Sequence, residues 1–131
     1  MKNKNYIPKD IYDILAVKYL QYLPFKAIKE DVPKLLEWLQ DLHWEVAPGI
    51  AQYLIPHINE ITSELLFVLN TNDGMWKYCI INGLIKRSQS KLDPRLINAL
   101  KRIAEHPSII DAEDAVDEAA KEIIANKLLS N

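Results

Sequence analysis

The sequence has one cysteine, three glycines and no long apolar run, and each shortage excludes a class of protein. A single cysteine, Cys79, cannot form a disulfide within the chain and is typical of a protein from a reducing cytoplasm. Gly49, Gly74 and Gly83 are too few for the turns of an all-β protein. No apolar stretch is long enough to cross a bilayer, and no signal-peptide core follows the basic first residues. We therefore expect a cytoplasmic protein that is neither secreted nor inserted in a membrane.

What remains is the composition of one globular domain, which we expect to span residues 1–131. The net charge is −2, but its distribution along the chain is uneven. Residues 77–102 carry seven basic side chains against Asp93 alone. Residues 35–76 carry no lysine or arginine and six acidic side chains: Glu37, Asp41, Glu45, Glu60, Glu64 and Asp73. Blocks of one sign create local fields that select partners.

Apolar residues recur at helical spacing along the whole chain, and no strand-like alternation competes with them. Prolines and short polar segments separate these runs, so successive helices should be antiparallel neighbours. We predict an all-α fold of about seven to eight helices. In the first helix the predicted buried stripe is Ile11, Leu15, Tyr19 and Tyr22. The last helix is predicted to run from about Asp111 to Leu129.

A short pattern occurs twice, 32 residues apart: Asp41-Leu42-His43-Trp44 and Asp73-Gly74-Met75-Trp76. Each copy stands between two apolar runs of helical period. Self-similarity at this period predicts stacked helical hairpins that bury each other's apolar faces. In this interpretation the tryptophans pack at the start of two equivalent helices, and Asp73 follows a turn and cap signal at Asn70-Thr71-Asn72.

The segments around these tryptophans resemble the second helix of a HEAT repeat, and the resemblance implies that Asp41 and Asp73 each cap a helix. Together with Pro8-Lys9-Asp10, Leu35-Leu36-Glu37-Trp38-Leu39-Gln40-Asp41 and Trp76-Lys77-Tyr78, they resemble a small bacterial family of HEAT-like domains of unknown function. The resemblance covers most of the chain and implies a HEAT-like α-α superhelix. It implies no activity. In that family a proline directly follows the tryptophan. This chain departs from the pattern, because Glu45 follows Trp44 and the proline comes later, at Pro48.

No pattern in the sequence predicts catalysis, a metal site or a cofactor. The histidines His43, His57 and His106 lie far apart in the chain, whereas a metal site needs several ligands at fixed spacing. Cys79 lies on an apolar helix stripe, where a thiol is inert. Phosphate loops, nucleophile elbows and dinucleotide fingerprints are all missing. We therefore expect a protein that is not an enzyme and takes no cofactor.

The pattern instead favours a protein-binding module whose partner has a basic surface. Partly exposed aromatic side chains beside charges are the usual anchors of protein interfaces. The predicted contact residues are Glu37, Asp41, Trp44, Glu45, Asp73, Trp76, Lys77 and Tyr78. A sharper hypothesis is an immunity or antitoxin-like inhibitor of a basic protein. A scaffold or adaptor is the alternative, and binding of a small ligand or a nucleic acid is less favoured. Both aspartates could instead be helix caps, and both tryptophans packing residues.

Overall fold

A computed structural model describes residues 4–129, and this part of the chain is all-helical, with no β-strand. The predicted all-α class is therefore confirmed. Within it, seven α-helices have six or more residues, and α2 and α8 have four and five. The helices are α1 (Ile14–Gln21), α2 (Phe25–Ile28), α3 (Val32–Glu37), α4 (Ala47–Leu54), α5 (Thr62–Leu69), α6 (Gly74–Ile80), α7 (Pro94–Glu105), α8 (Ile109–Glu113) and α9 (Val116–Leu129).

Three helical segments of other types connect or extend these helices. The 3₁₀ segment Lys29–Asp31 joins α2 to α3, and the 3₁₀ segment Ile55–Ile61 joins α4 to α5. Pro56 lacks the N–H that an α-helix needs, and His57 after it has non-helical angles, so the chain bends there. A π-helical turn, Ile81–Ile85, extends α6 and contains the 2.8 Å bond from the Lys86 N–H to the Ile81 carbonyl.

The core consists of aliphatic side chains contributed by most of the helices. α1 packs on α4, α5 on α7, and α7 on α9, which also contacts α6. The largest fully buried side chains include Leu20, Leu35, Leu36, Ile50, Leu54, Leu65 and Ile80. Among the described residues, no helix is both long and apolar enough to span a bilayer.

The buried face of α1 differs from the predicted one. Asp13 caps this helix by accepting a bond from the Ala16 N–H at 3.3 Å, and Ala16, Val17 and Leu20 face the core. The predicted stripe was wrong: Leu15, Tyr19 and Tyr22 are 62%, 47% and 87% exposed. Both faces of α1 are apolar, so periodicity alone could not choose between them. The choice follows from α4, where Gly49 leaves room for Val17, because a Cβ at this position would collide with Val17 Cγ1.

The predicted last helix is two helices. α8 ends at Glu113, α9 begins at Val116, and Ala115 between them has a φ of 59°. A left-handed residue cannot continue a right-handed helix. Ser108 caps α8 by accepting a bond from the Asp111 N–H at 3.1 Å.

A buried carboxylate fixes the N-terminal segment to the start of α3. Asp31 is buried and accepts hydrogen bonds from the Tyr6 hydroxyl and, at 3.0 Å, from Lys4 Nζ. Burial raises the pKa of Asp31, but the bonds from Tyr6 and Lys4 lower it by more, so the net pKa lies below its ordinary value. Because folding depresses this pKa, Asp31 stabilises the fold above its unfolded pKa of about 3.9, and the contribution is lost as pH falls through the folded value.

Tyr6→Phe is expected to lower the free energy of unfolding by about 1–3 kcal/mol at neutral pH, because a buried carboxylate loses a donor. The difference from wild type should begin to shrink below about pH 4 and should be lost once the pH has fallen through the lowered pKa of Asp31 in the folded wild type. Urea denaturation followed by circular dichroism at several pH values measures both effects. Tyr12→Phe is the matched control, since Tyr12 is exposed. A pH-independent difference would contradict the role given to Asp31.

Candidate functional site

The two Asp-x-x-Trp segments have different structures. Asp73 caps α6 by accepting a bond from the Trp76 N–H at 3.0 Å, as predicted. Asp41 lies in the turn between α3 and α4 and accepts a bond from the His43 N–H at 2.8 Å. The prediction that Asp41 caps a helix was wrong, because a helix starting there would carry Pro48 in its interior. α4 instead begins at Ala47, with Pro48 in its first turn.

The tryptophans are correspondingly inequivalent, although both are half-buried. Trp76 lies in the first turn of α6, and its indole Nε1 donates to the Leu36 carbonyl oxygen at 2.9 Å. This bond fixes α6 to the end of α3. Trp44 lies in the turn before α4 and packs edge-to-face on Trp38, with ring centroids 6.0 Å apart. Both tryptophans pack against the core, but only Trp76 lies at the start of a helix as predicted, because α4 begins at Ala47.

An apolar groove of about 580 Å³ runs between α3 and α5 and ends at Trp76. Its apolar lining consists of Pro33, Leu36, Phe67, Val68 and Trp76. The polar groups in the lining are Glu37, Gln40, Ser63 and Glu64. We call this surface the apolar groove. Phe67 is 69% exposed and adjoins the other apolar residues of the groove, so together they form a contiguous apolar patch, the kind of surface that marks binding sites.

The apolar groove continues into a second depression at its Pro33 end. This depression has a volume of about 480 Å³ and shares Pro33 and Glu64 with the groove. Lys26, Lys29 and Glu30 complete its lining. The surface therefore has carboxylates along the groove and lysines at its far end.

The structure divides the predicted contact residues among several places. Glu37 and Trp76 line the apolar groove, whereas Asp41, Trp44 and Glu45 lie in the turn before α4 and Asp73 caps α6. Tyr78 borders a different depression, formed with Asn82 and α9. Sequence reasoning missed Glu64 and Phe67 as groove residues. Phe67 could have been noticed as an aromatic side chain in an apolar helix, α5, but an apolar residue in such a helix is usually buried between neighbouring helices.

Lys77 does not present its charge to a partner, because its side chain is buried. The residue is 4% exposed, and its Nζ lies 2.6 Å from Asp111 Oδ1 on α8. Asp111 is also buried. This buried pair ties α6 to α8, and we remove Lys77 from the contact residues.

Cys79 is buried and does not line the apolar groove. Burial raises the pKa of its thiol, which lies 3.7 Å from the Gln40 carbonyl oxygen. A raised pKa disfavours the nucleophilic thiolate. Among the residues that the structure describes, no three His, Cys, Asp or Glu side chains lie close enough together to hold a metal ion.

No curated protein shows significant similarity to this sequence. The family comparison is more informative, because residues 6–124 match a domain of unknown function, DUF5071. The match begins at Tyr6 and ends within α9, so it includes every residue of the apolar groove. The chain therefore belongs to the DUF5071 family.

Proposed function

We propose that this domain is a non-catalytic protein-binding module whose apolar groove takes an amphipathic, basic segment of another protein. The observation that carries the proposal is the combination of an exposed aromatic ring, an apolar lining and two carboxylates in one groove. Grooves of this kind bind the apolar face of a helix through side chains one turn apart. The proposed interface consists of Phe67 and Trp76 as anchors and Glu37 and Glu64 as the charged groups.

The sign of the surrounding charge supports a basic partner. Glu37 and Glu64 line the apolar groove, and its lining among the described residues contains no lysine or arginine, because Lys26 and Lys29 lie in the neighbouring depression beyond Pro33. Complementary charge speeds association and selects the partner, while the buried apolar centre supplies most of the affinity. Lysines of the partner would lie beside Glu37 and Glu64.

The basic block at residues 77–102 supports a nucleic-acid partner less well. Lys77 is buried, Lys86 Nζ lies 2.8 Å from Glu122, and Arg95 Nη2 lies 3.2 Å from Asp93. Phosphate binding needs basic groups on one continuous surface, and these three already face carboxylates.

The finer parts of the proposal follow from the same surface. An immunity or antitoxin-like inhibitor would cover a basic protein with this groove, whereas an adaptor would hold a segment of a protein without blocking it.

The location and the helix arrangement are separate proposals. We place the domain in the cytoplasm, in keeping with its single cysteine. We also propose a HEAT-like stacking of helical hairpins, supported by the succession of α5 on α7 and α7 on α9.

A pair of synthetic peptides tests the groove directly. One is a four-turn amphipathic helix of leucine and lysine, and the other has glutamate at every lysine position. We expect the lysine peptide to bind and the glutamate peptide to bind at least about tenfold more weakly, because like charges meet at Glu37 and Glu64. Isothermal titration at low and moderate salt measures the affinities, and that of the lysine peptide should fall as salt rises.

Two variants locate the binding. Phe67→Ser and the double variant Glu37→Lys/Glu64→Lys should each weaken the lysine peptide by about tenfold or more. Glu105→Lys is the matched control, because Glu105 is exposed on α7 and does not line the groove. Equal affinity for both peptides, or equal losses in the control, would refute the proposed groove.

The same groove favours one second candidate, a small apolar ligand that carries an amine. A volume of about 580 Å³ lies in the usual range for small-molecule sites. Binding of octylamine with no binding of the lysine peptide would support this candidate.

The activity of a captured protein partner distinguishes an inhibitor from an adaptor. The partner must be one that the wild type captures and Phe67→Ser does not. An inhibitor suppresses the partner's activity at equimolar ratio, whereas an adaptor leaves that activity unchanged.

A further inference from the structure

A second, polar cavity lies away from the apolar groove, where the α5–α6 turn meets the α7–α8 connection. Its volume is about 200 Å³. Its polar lining includes Asn70, Lys77, Arg102, His106, Ser108 and Asp111. We call it the polar cavity. A lining this polar suits a small charged molecule rather than an apolar one.

The innermost groups of the polar cavity are a buried ion pair with unused hydrogen-bonding capacity. Lys77 Nζ and Asp111 Oδ1 are 2.6 Å apart, yet Oδ1 is a buried acceptor without a hydrogen bond of normal angular geometry. A lysine ammonium has three donors, and a carboxylate oxygen accepts more than one bond. A buried pair is costly unless such remaining groups are satisfied.

Arg102 adds a second cation near the mouth of the cavity. Its Nη2 donates to Asn70 Oδ1 at 3.1 Å, which holds the guanidinium against the α5–α6 turn. A guanidinium carries five N–H donors, so most remain for a ligand. Two cations against one carboxylate make the polar cavity attractive to an anion, and Asp111 offers an acceptor beside them.

We propose that the polar cavity binds a small organic acid that carries a hydrogen-bond donor next to its carboxylate, the chemistry of an α-amino or α-hydroxy acid. The ligand carboxylate accepts from Lys77 and Arg102, and its neighbouring ammonium or hydroxyl donates to Asp111. The volume limits the ligand to a few heavy atoms, well below drug size. This site is independent of the apolar groove and of the function proposed for it.

Four probes dissect the two halves of the proposed contact. Glycine and lactate carry both the carboxylate and the donor, acetate lacks the donor, and ethanolamine lacks the carboxylate. The full chain, labelled with ¹⁵N, is titrated with each probe, and the amides of Thr71, Ile103 and Asp111 report on the cavity. Glycine and lactate should give saturable shifts there, acetate should bind about tenfold more weakly, and ethanolamine should leave these amides unshifted.

Arg102→Gln provides the variant test, since Arg102 is exposed and its replacement is expected to leave the fold intact. It should weaken glycine and lactate by about tenfold or more. Arg87→Gln is the matched control, because Arg87 is also exposed and does not line the cavity. Acetate binding as tightly as glycine, an absence of saturable shifts with glycine and lactate, or equal losses in both variants would overturn the proposal.

Discussion

Lys77→Met is expected to lower the free energy of unfolding by about 3–5 kcal/mol, the usual cost of removing one partner of a buried ion pair. The variant leaves Asp111 at 5% exposure without its counter-ion, and methionine cannot donate to it. The carboxylate must then be buried as an unpaired charge or take up a proton. Urea denaturation followed by circular dichroism measures the loss.

Replacing both partners should restore most of that stability. In Lys77→Met/Asp111→Leu two apolar side chains of similar size occupy the site, and such exchanges are often neutral or stabilising. A double-mutant cycle therefore yields a large coupling energy between the two positions. A loss below about 1 kcal/mol in Lys77→Met alone, the range of exposed pairs, would show that water in the polar cavity already screens the charges.

Trp76→Ala is expected to lower the free energy of unfolding by about 3 kcal/mol, near the lower end of losses for large aromatic side chains because the ring is half-buried. The substitution removes the contact between α6 and α3 and leaves the Leu36 carbonyl without its 2.9 Å donor. Denaturation can be followed by fluorescence, since Trp38 and Trp44 remain.

Trp76→Phe separates the two contributions. Phenylalanine keeps most of the packing but has no N–H, so the expected loss is about 1 kcal/mol, the net value of one hydrogen bond. Phe67→Ala is the surface control, because the exposed Phe67 ring should contribute under about 0.5 kcal/mol. Equal losses in Trp76→Ala and Trp76→Phe would contradict a packing role for the indole.

The all-α class could be predicted because helical periodicity is a local property of the sequence. Two helix starts are marked just as locally. Asp73 precedes α6 and Asp93 precedes Pro94 at the start of α7, and each carboxylate accepts a hydrogen bond from a backbone N–H of the following turn. Asp41 has the same local pattern as Asp73. It differs because Pro48, farther along the chain, decides where the next helix can begin.

The candidate site was less predictable because it depends on which helices meet. Glu37 was predicted as a contact residue, but Glu64 joins it in space only through the packing of α3 near α5. Lys77 was misplaced for a related reason. Asp111 stands at the predicted start of the last helix, and nothing local shows that it reaches a lysine on α6. Charges along a chain therefore predict a field poorly when a distant partner neutralises one of them.

The π-helical turn at Ile81–Ile85 gives this domain a place where its length can change. A bond spanning five residues encloses one residue more than an ordinary turn, and the Lys86–Ile81 bond is of this kind. Deleting a single residue there is expected to convert the turn to regular geometry and to leave the flanking side chains in phase with their neighbours. A variant that is one residue shorter in this turn should therefore keep both the indole contact before it and the helix packing after it.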